Sequence, residues 1–137
     1  GALNPHAYDL NRLGASGPSP WDATPFMHNG DVRIRHWRTE RAMDHLVRNQ
    51  DGDELLFIHD GAGGLFCDWG RLAYRDGGYI VIPRGGMWRI APSAPRVRIV
   101  VSRGIRLKTQ SATSTKMVMT RDRMVENIVA RSTWIRW

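Results

Sequence analysis

The sequence predicts an all-β domain, a β-sandwich or barrel, with an extended arm before it and a helix near the C-terminus. Three observations predict this fold: short apolar runs between residues 52 and 90, spacers rich in glycine and aspartate between them, and a reversal about every eight to ten residues. The apolar runs are LLFI (55–58), LF (65–66), LAY (72–74), YIVI (79–82) and MWRI (87–90).

The spacers between these runs are typical turn sequences, namely DGAGG, DWG, RDGG and PRGG. Glycine adopts positive φ without a Cβ clash and aspartate closes local turns, so a strand can reverse at each spacer. Such regular reversal is typical of a β-sandwich or barrel. Because DGAGG lies between two strands and no helix follows it, we interpret it as a hairpin turn and not as a phosphate-binding loop.

Residues 1–30 and 31–104 form two different segments. The first contains four of the seven prolines and few periodic apolar positions, which predicts an extended arm lying across a neighbouring surface. Residues 31–104 are the predicted β-domain, with strands over 31–38 and over the run VRIVV. Between them, residues 39–49 fit either a helical turn or an irregular strand. The candidate anchors of the arm are Tyr8, Leu10, Leu13, Trp21 and Phe26.

Residues 105–137 form a tail of different composition, since every glycine and proline lies at or before Gly104. The run KTQSATSTK (108–116) predicts a flexible polar linker. Residues 121–131 carry apolar side chains at helical spacing, with Thr120 as a candidate N-cap, and predict an amphipathic helix. Two interpretations stay open: the tail is foreign to the domain, or its helix covers a surface where another domain would pack.

The composition indicates an ordinary globular protein, with 42% hydrophobic and 24% charged residues and a net charge of +7. Residues 1–104 hold 13 Arg and 11 acidic residues (+2), and residues 105–137 hold 7 basic and 2 acidic residues (+5). Because most of the excess lies in the tail, we do not expect a nucleic-acid partner. Arg33, Arg35 and Arg38 predict an arginine-lined outer face on the first strand.

The cellular setting is predicted from two further features. No apolar run approaches the length of a membrane span, so no membrane partner is expected. Cys67 is the single cysteine; it cannot form an internal disulfide, fits a reducing compartment, and is interpreted as a packed residue. We therefore expect a cytoplasmic protein.

Within the β-domain the sequence resembles the cupins, which fold as a double-stranded β-helix. The resemblance rests on Glu54 and Gly61, followed by Asp76–Gly77 and then by Pro83 and Gly85. Over residues 4–95 the chain is similar, more specifically, to the N-terminal domain of the bacterial homogentisate 1,2-dioxygenase family. The stretches that carry this similarity are DVRIRHWRTERAMDHLVRN (31–49), DGDELLFIHDGAG (51–63), LFCDWGRLAYRDG (65–77) and IPRGGMWRI (82–90).

The resemblance also implies where a cupin would hold a metal. Metal-binding cupins supply two histidines shortly before the motif glutamate and a third shortly after the motif proline. Here those positions are Val47, Asn49 and Trp88, and Glu54 alone keeps a ligand side chain. One carboxylate cannot form the two-histidine, one-carboxylate set that holds non-haem Fe(II). We therefore expect no catalytic residue, no metal and no cofactor in this chain.

Two functions follow as expectations. The resemblance implies a structural or assembly domain of homogentisate 1,2-dioxygenase, an enzyme of tyrosine and phenylalanine catabolism whose Fe(II) site lies in a second, C-terminal cupin domain. Its partner would be that missing domain or further copies in a homo-oligomer. The alternative is a free-standing cupin that binds a small ligand without redox chemistry. Its candidate ligand-binding residues are Arg35, Glu54 and Arg89.

A different metal site, formed by the histidines that remain, is not expected. Strand alternation places Glu54, Leu56 and Ile58 on one face and His59 on the other. Glu54 and His59 should therefore diverge, and His36 and His45 complete no set with either of them.

Overall fold

The computed structural model describes residues 7, 9–14, 16–105 and 118–120. Within these residues the chain forms strands and two short 3-10 turns, Leu10–Arg12 and Pro20–Asp22. The strands are β1 (Thr24–His28), β2 (Arg33–Thr39), β3 (Val47–Arg48), β4 (Asp53–Asp60), β5 (Gly63–Cys67), β6 (Gly70–Tyr74), β7 (Tyr79–Ile82), β8 (Met87–Pro92), β9 (Val97–Ile105) and β10 (Val118–Thr120). The strands predicted from the five apolar runs correspond to β4–β8.

The strands form two antiparallel sheets. The larger sheet has the order β1-β2-β9-β4-β7-β10 and the smaller has the order β3-β8-β5-β6. Because the chain alternates between the sheets, strands distant in sequence become neighbours, as β4 and β9 do. The predicted all-β sandwich is confirmed.

The core lies between the two sheets. Strand β4 contributes Leu56 and Ile58 to it, and exposes His59 on the opposite face, as alternation predicts. Trp37 of the larger sheet meets Trp88 of the smaller one edge to face, with ring centroids 6.3 Å apart. The other fully buried apolar side chains among the described residues are Met43, Leu65, Ile80, Ile82, Ile90, Val97, Ile99 and Val101.

The N-terminal segment lies across the chain's own sandwich. Beside β2, the backbone N–H of Ser16 donates to the carbonyl of Arg38 at 3.0 Å, and the indole N–H of Trp37 donates to the carbonyl of Gly17 at 2.9 Å. Strand β1, which the sequence did not predict, then pairs with β2. Of the proposed anchors, Leu10, Leu13 and Phe26 are half-buried and Trp21 packs on Arg103; Tyr8 lies outside the described residues.

Of the two alternatives for residues 39–49, the structure favours the irregular strand, because no helical turn forms and the chain runs irregularly into the short strand β3. The prediction of an arginine-lined outer face on β2 is wrong. Side chains alternate along a strand, so Arg38 lies on one face of β2 whereas Arg33 and Arg35 lie on the other. Arg35 shares the inward face with Trp37, which is fully buried.

The tail enters the larger sheet through β10, which pairs with β7 at the sheet edge. No strand was predicted in this part of the sequence. The polar linker (108–116) and the amphipathic helix (121–131) lie outside the described residues. Among the residues that are described, no helix has the length and apolar character needed to cross a bilayer.

Candidate functional site

Glu54 is the residue around which the candidate site is built. It lies at the start of β4, in series with the buried Leu56 and Ile58, and only 2% of its surface is exposed. A carboxylate buried to this extent requires hydrogen bonds and an opposite charge. The indole N–H of Trp88 donates to Glu54 Oε2 at 2.7 Å, and Arg103 Nε lies 2.6 Å from Glu54 Oε1 as an ion pair. We call these three residues the Glu54 cluster.

Trp88 reaches Glu54 from the smaller sheet. It lies on β8 between outward-facing neighbours and is fully buried, so its indole projects inward. Val47 of β3 is its register partner and is also buried. Asn49 is buried too, but its side-chain Oδ1 accepts the backbone N–H of Asp51 at 3.1 Å. The structure thus brings Val47, Trp88 and Glu54 together, whereas the Asn49 amide serves a local turn.

Arg103 completes the cluster, although the sequence prediction did not include it. It lies on the inward face of β9, directly opposite Glu54 on β4 and opposite Arg33 on β2. Burial lowers the pKa of Arg103; the negative charge of Glu54 acts in the opposite direction, and Arg35 lowers the pKa further. The cation is therefore held in a setting that disfavours it, with Glu54 as its counter-charge.

An aromatic ring from the N-terminal arm covers Arg103. The Trp21 ring centroid lies 3.7 Å from the guanidinium carbon, a cation–π distance. Trp21 sits in the 3-10 turn Pro20–Asp22, which is capped by Ser19 and Asp22 in a reciprocal pair of hydrogen bonds. The arm thus reaches the end of the sandwich at which Glu54 lies.

The two arginines predicted to bind a ligand separate in the structure. Arg35 shares the inward face of the larger sheet with Arg103. Arg89 lies on the outer face of the smaller sheet, because it follows the inward-facing Trp88 on β8. Its guanidinium packs over Phe66 at 4.6 Å and donates to the carbonyl of Met43 at 3.5 Å. The structure does not bring Arg89 to Glu54.

The residues at the cupin metal positions do not fit Fe(II). Val47 offers no ligand atom and the Trp88 indole nitrogen is a donor only. Both oxygens of Glu54 already face donors. Within the described parts of the chain, no three His, Cys, Asp or Glu side chains are placed to hold a metal ion.

The histidines near β2 and β4 lie away from the Glu54 cluster. His36 is on the outer face of β2, is only 2% exposed, and neither ring nitrogen has a hydrogen-bond partner among the described residues. Burial lowers the pKa of His36, and Arg98, His59 and Arg38 lower it further through their charges. His45 is exposed and contacts Asp44.

A surface pocket of about 560 Å³ lies at the other end of β4 and β9 from the Glu54 cluster. The pocket is open to solvent, and none of the predicted site residues lines it. Its lining consists of Glu40, Asp60, Gly61, Ala94, Pro95 and Arg96.

The sequence contained one signal for the residue that its analysis missed. In β9, Val97, Ile99 and Val101 alternate on the buried face, and Arg103 continues the same series. A charged residue that ends an apolar series on a central strand indicates a buried ion pair. Trp21 was predicted only as an anchor of the arm, and the arm has no periodicity that would link it to Arg103.

Comparison with known proteins shows which solved structures share this architecture. No family model matches the sequence. A protein from Ralstonia eutropha, provisionally named a mannose-6-phosphate isomerase, superposes with a TM-score of 0.58 at 16% identity, over 72% of this chain and 96% of that one. The cupin domain of Cnp3 from Schizosaccharomyces pombe gives 0.56 at 13% identity, over 70% and 71%.

A cupin-2 domain protein from Shewanella frigidimarina is also similar, with a TM-score of 0.52 at 15% identity, over 60% of this chain and 80% of that one. Identities this low show the fold alone. The two antiparallel sheets and these similarities together establish that the chain has the cupin fold.

Proposed function

We propose that this chain is a non-catalytic cupin domain that serves as the structural partner of a metal-binding cupin domain. The observation that carries the proposal is the state of Glu54. In a metal-binding cupin the glutamate at this position would be a ligand, whereas here its two oxygens face the Trp88 indole and the Arg103 guanidinium. The space and the charge that a metal would use are both occupied by protein.

The sequence similarity gives the proposal its specific form. Residues 4–95 resemble the N-terminal domain of homogentisate 1,2-dioxygenase, in which the iron site belongs to the second cupin domain. We infer the same division here. In the complete enzyme Fe(II) and O2 would open the aromatic ring of homogentisate, in tyrosine and phenylalanine catabolism. This chain would supply folded surface and no iron ligand, in the cytoplasm.

The resemblance, and not the described surface, supports a partner. Leu46 is 52% exposed, Trp69 is exposed in the turn between β5 and β6, and Tyr79 is exposed on β7. Single exposed apolar side chains such as these are common on monomeric proteins. The partner proposed is a second cupin domain, with further copies of this chain as the alternative.

The test is an oxygen-uptake assay with homogentisate and Fe(II). The chain alone is compared with the chain mixed with a separately produced C-terminal cupin domain of the family. We expect no uptake by the chain alone, and a stable complex with the added domain in size-exclusion chromatography. Turnover by the chain alone would refute the structural role, and the absence of any complex would favour a free-standing cupin.

A free-standing cupin that binds a small ligand remains the second candidate. One observation favours it: Nη2 of the buried Arg103 has no hydrogen-bond partner among the described residues. A ligand with an acceptor atom would supply that partner.

A further inference from the structure

Three arginines lie on the inward face at one end of the larger sheet. Arg33 and Arg35 lie on β2, and Arg103 lies on the neighbouring β9 as the register partner of Arg33. The acidic residue that the register places among them is Glu54. Arg33 is exposed to water, which screens its charge, but Arg35 and Arg103 are more enclosed. Among the described residues, the enclosed carboxylate on this face, Glu54, pairs with Arg103, which leaves the charge of Arg35 without a counter-charge there.

The hydrogen-bond donors of these arginines are also incompletely used. The Arg103 side chain is 9% exposed, and its Nη2 has no hydrogen-bond partner among the described residues. Nε of Arg35 is buried and lacks one as well. A buried donor without an acceptor destabilises a protein, and more strongly when it is charged. An anion at this position would balance the positive charge and would accept hydrogen bonds from the unpaired donors.

Trp21 separates this position from solvent. Its ring packs on the Arg103 guanidinium at 3.7 Å while 47% of its own surface faces water. The residue is carried by a three-residue 3-10 turn in the N-terminal segment. Rotation of this one side chain would uncover the face of the Arg103 guanidinium on which its ring packs.

We propose that Arg103 and Arg35 form a binding site for a small organic carboxylate, with Trp21 as its cover. A single carboxylate matches the one uncompensated charge, and its planar pair of oxygens fits the fork of a guanidinium. Glu54 contributes by pairing with the Nε atom of Arg103, which leaves Nη2 of Arg103 to the ligand. This site rests on the second candidate function, a cupin that binds a small ligand, and adds the class of that ligand and the residues that hold it; it requires no metal and no second domain.

The test uses benzoate as the probe and benzamide as its neutral, isosteric control. Isothermal titration calorimetry is carried out on the full chain at constant ionic strength, with chloride as the competing anion. We expect saturable binding of one benzoate per chain and no binding of benzamide. Equal binding of the two compounds, or no saturable binding of benzoate, would overturn the proposal.

Variants of the arginines test whether these residues bind the benzoate. Arg35→Gln removes one guanidinium without breaking the Glu54 ion pair, and we expect it to weaken benzoate binding about tenfold or more, the range of one charge-assisted hydrogen bond. Arg75→Gln, at an exposed turn, is the matched control and should bind as the unaltered chain does. Arg103→Lys, measured on folded protein, tests the contribution of the second arginine to benzoate binding. Unchanged affinity in Arg35→Gln would refute the site, whatever the outcome of the oxygen-uptake assay.

Discussion

At the scale of single residues, Trp88 has two roles in this domain. Its ring fills the interior between the sheets, against Trp37, and its N–H satisfies the buried carboxylate of Glu54. A histidine at the same position would project toward Glu54 as a metal ligand. The indole instead supplies bulk and a donor, so the substitution changes a polar cavity into core.

The first prediction separates these two roles. Trp88→Ala should lower the free energy of unfolding by about 3–5 kcal/mol, because it leaves a cavity. Trp88→Phe keeps most of the bulk but leaves Glu54 Oε2 without its donor, and should cost about 1–3 kcal/mol. Urea denaturation measures both, with the exposed Leu46→Ala as the control. A loss below about 1 kcal/mol for Trp88→Ala would contradict the filled-core interpretation.

The second prediction concerns His36 and pH. Its pKa in the fold lies below the ordinary value of 6.5 because of burial and the charges of Arg98, His59 and Arg38; the nearby Asp60 is paired with Arg98. The unfolded chain therefore takes up this proton at a higher pH than the folded one. Stability should be full above about pH 6.5 and should fall as the pH drops from there toward the folded-state pKa.

The measurement is the urea midpoint between about pH 5 and pH 7.5, a range that spans the ordinary histidine pKa. His36→Leu should lose much of the pH dependence, whereas substitution of the exposed His28 should keep it. An identical pH dependence in the unaltered chain and in His36→Leu would show that other groups are responsible.

At the scale of elements, the close approach of β9 to the start of β2 depends on a glycine. Gly104 has φ +88°, and a Cβ placed on it would lie 2.3 Å from the carbonyl oxygen of Asp31. Gly85, in the turn before β8, has a similar φ of +84°, but its nearest neighbour, Gln50 Oε1, would be 3.6 Å away. The two positions share backbone strain and differ in the space available.

The third prediction uses this pair. Gly85→Ala should cost about 1–2 kcal/mol, the penalty of the left-handed conformation alone. Gly104→Ala should cost more, since the added methyl group also meets a backbone carbonyl that cannot rotate away. Thermal unfolding compares the two variants directly. Equal losses would show that the end of β9 shifts to accommodate the methyl group.

The same scale shows what the sequence could predict. Strands β4–β8 were predictable because each is a short apolar run between turns that require glycine or aspartate. Strand β1 was not, since Pro25 removes a donor and the register shifts between Pro25 and Met27. Strand β10 was missed because its three residues lie between a polar run and a helical pattern, and are recognisable only by their pairing with β7.

The candidate site was predictable to a similar extent. The resemblance to metal-binding cupins implied Val47, Asn49, Glu54 and Trp88. The structure brings Val47, Glu54 and Trp88 together. Arg89 was predicted to bind a ligand together with Arg35 and Glu54. It follows the inward-facing Trp88 on β8, so strand alternation places it on the outer face. Arg103 comes from a strand that carries no cupin motif, so only the pairing of β4 with β9 reveals its contact with Glu54.

At the scale of the whole molecule, the Glu54 cluster lies where three parts of the chain meet. Glu54 and Arg103 come from the larger sheet, Trp88 from the smaller sheet, and Trp21 from the arm adds the outer cover. A cupin that lost only its histidines would leave a polar cavity at this place. Here the Glu54–Arg103 ion pair and the Trp88 indole lie at this place, as the proposed structural role predicts.

The most direct test of this central claim is an anaerobic Fe(II) titration followed by desalting and metal analysis of the retained protein. The unaltered chain is compared with Glu54→Gln, which keeps the shape of the side chain and removes its charge. The account predicts that neither protein retains stoichiometric iron. One Fe(II) per chain in the unaltered protein, lost in Glu54→Gln, would show that Glu54 is a metal ligand and would contradict the account.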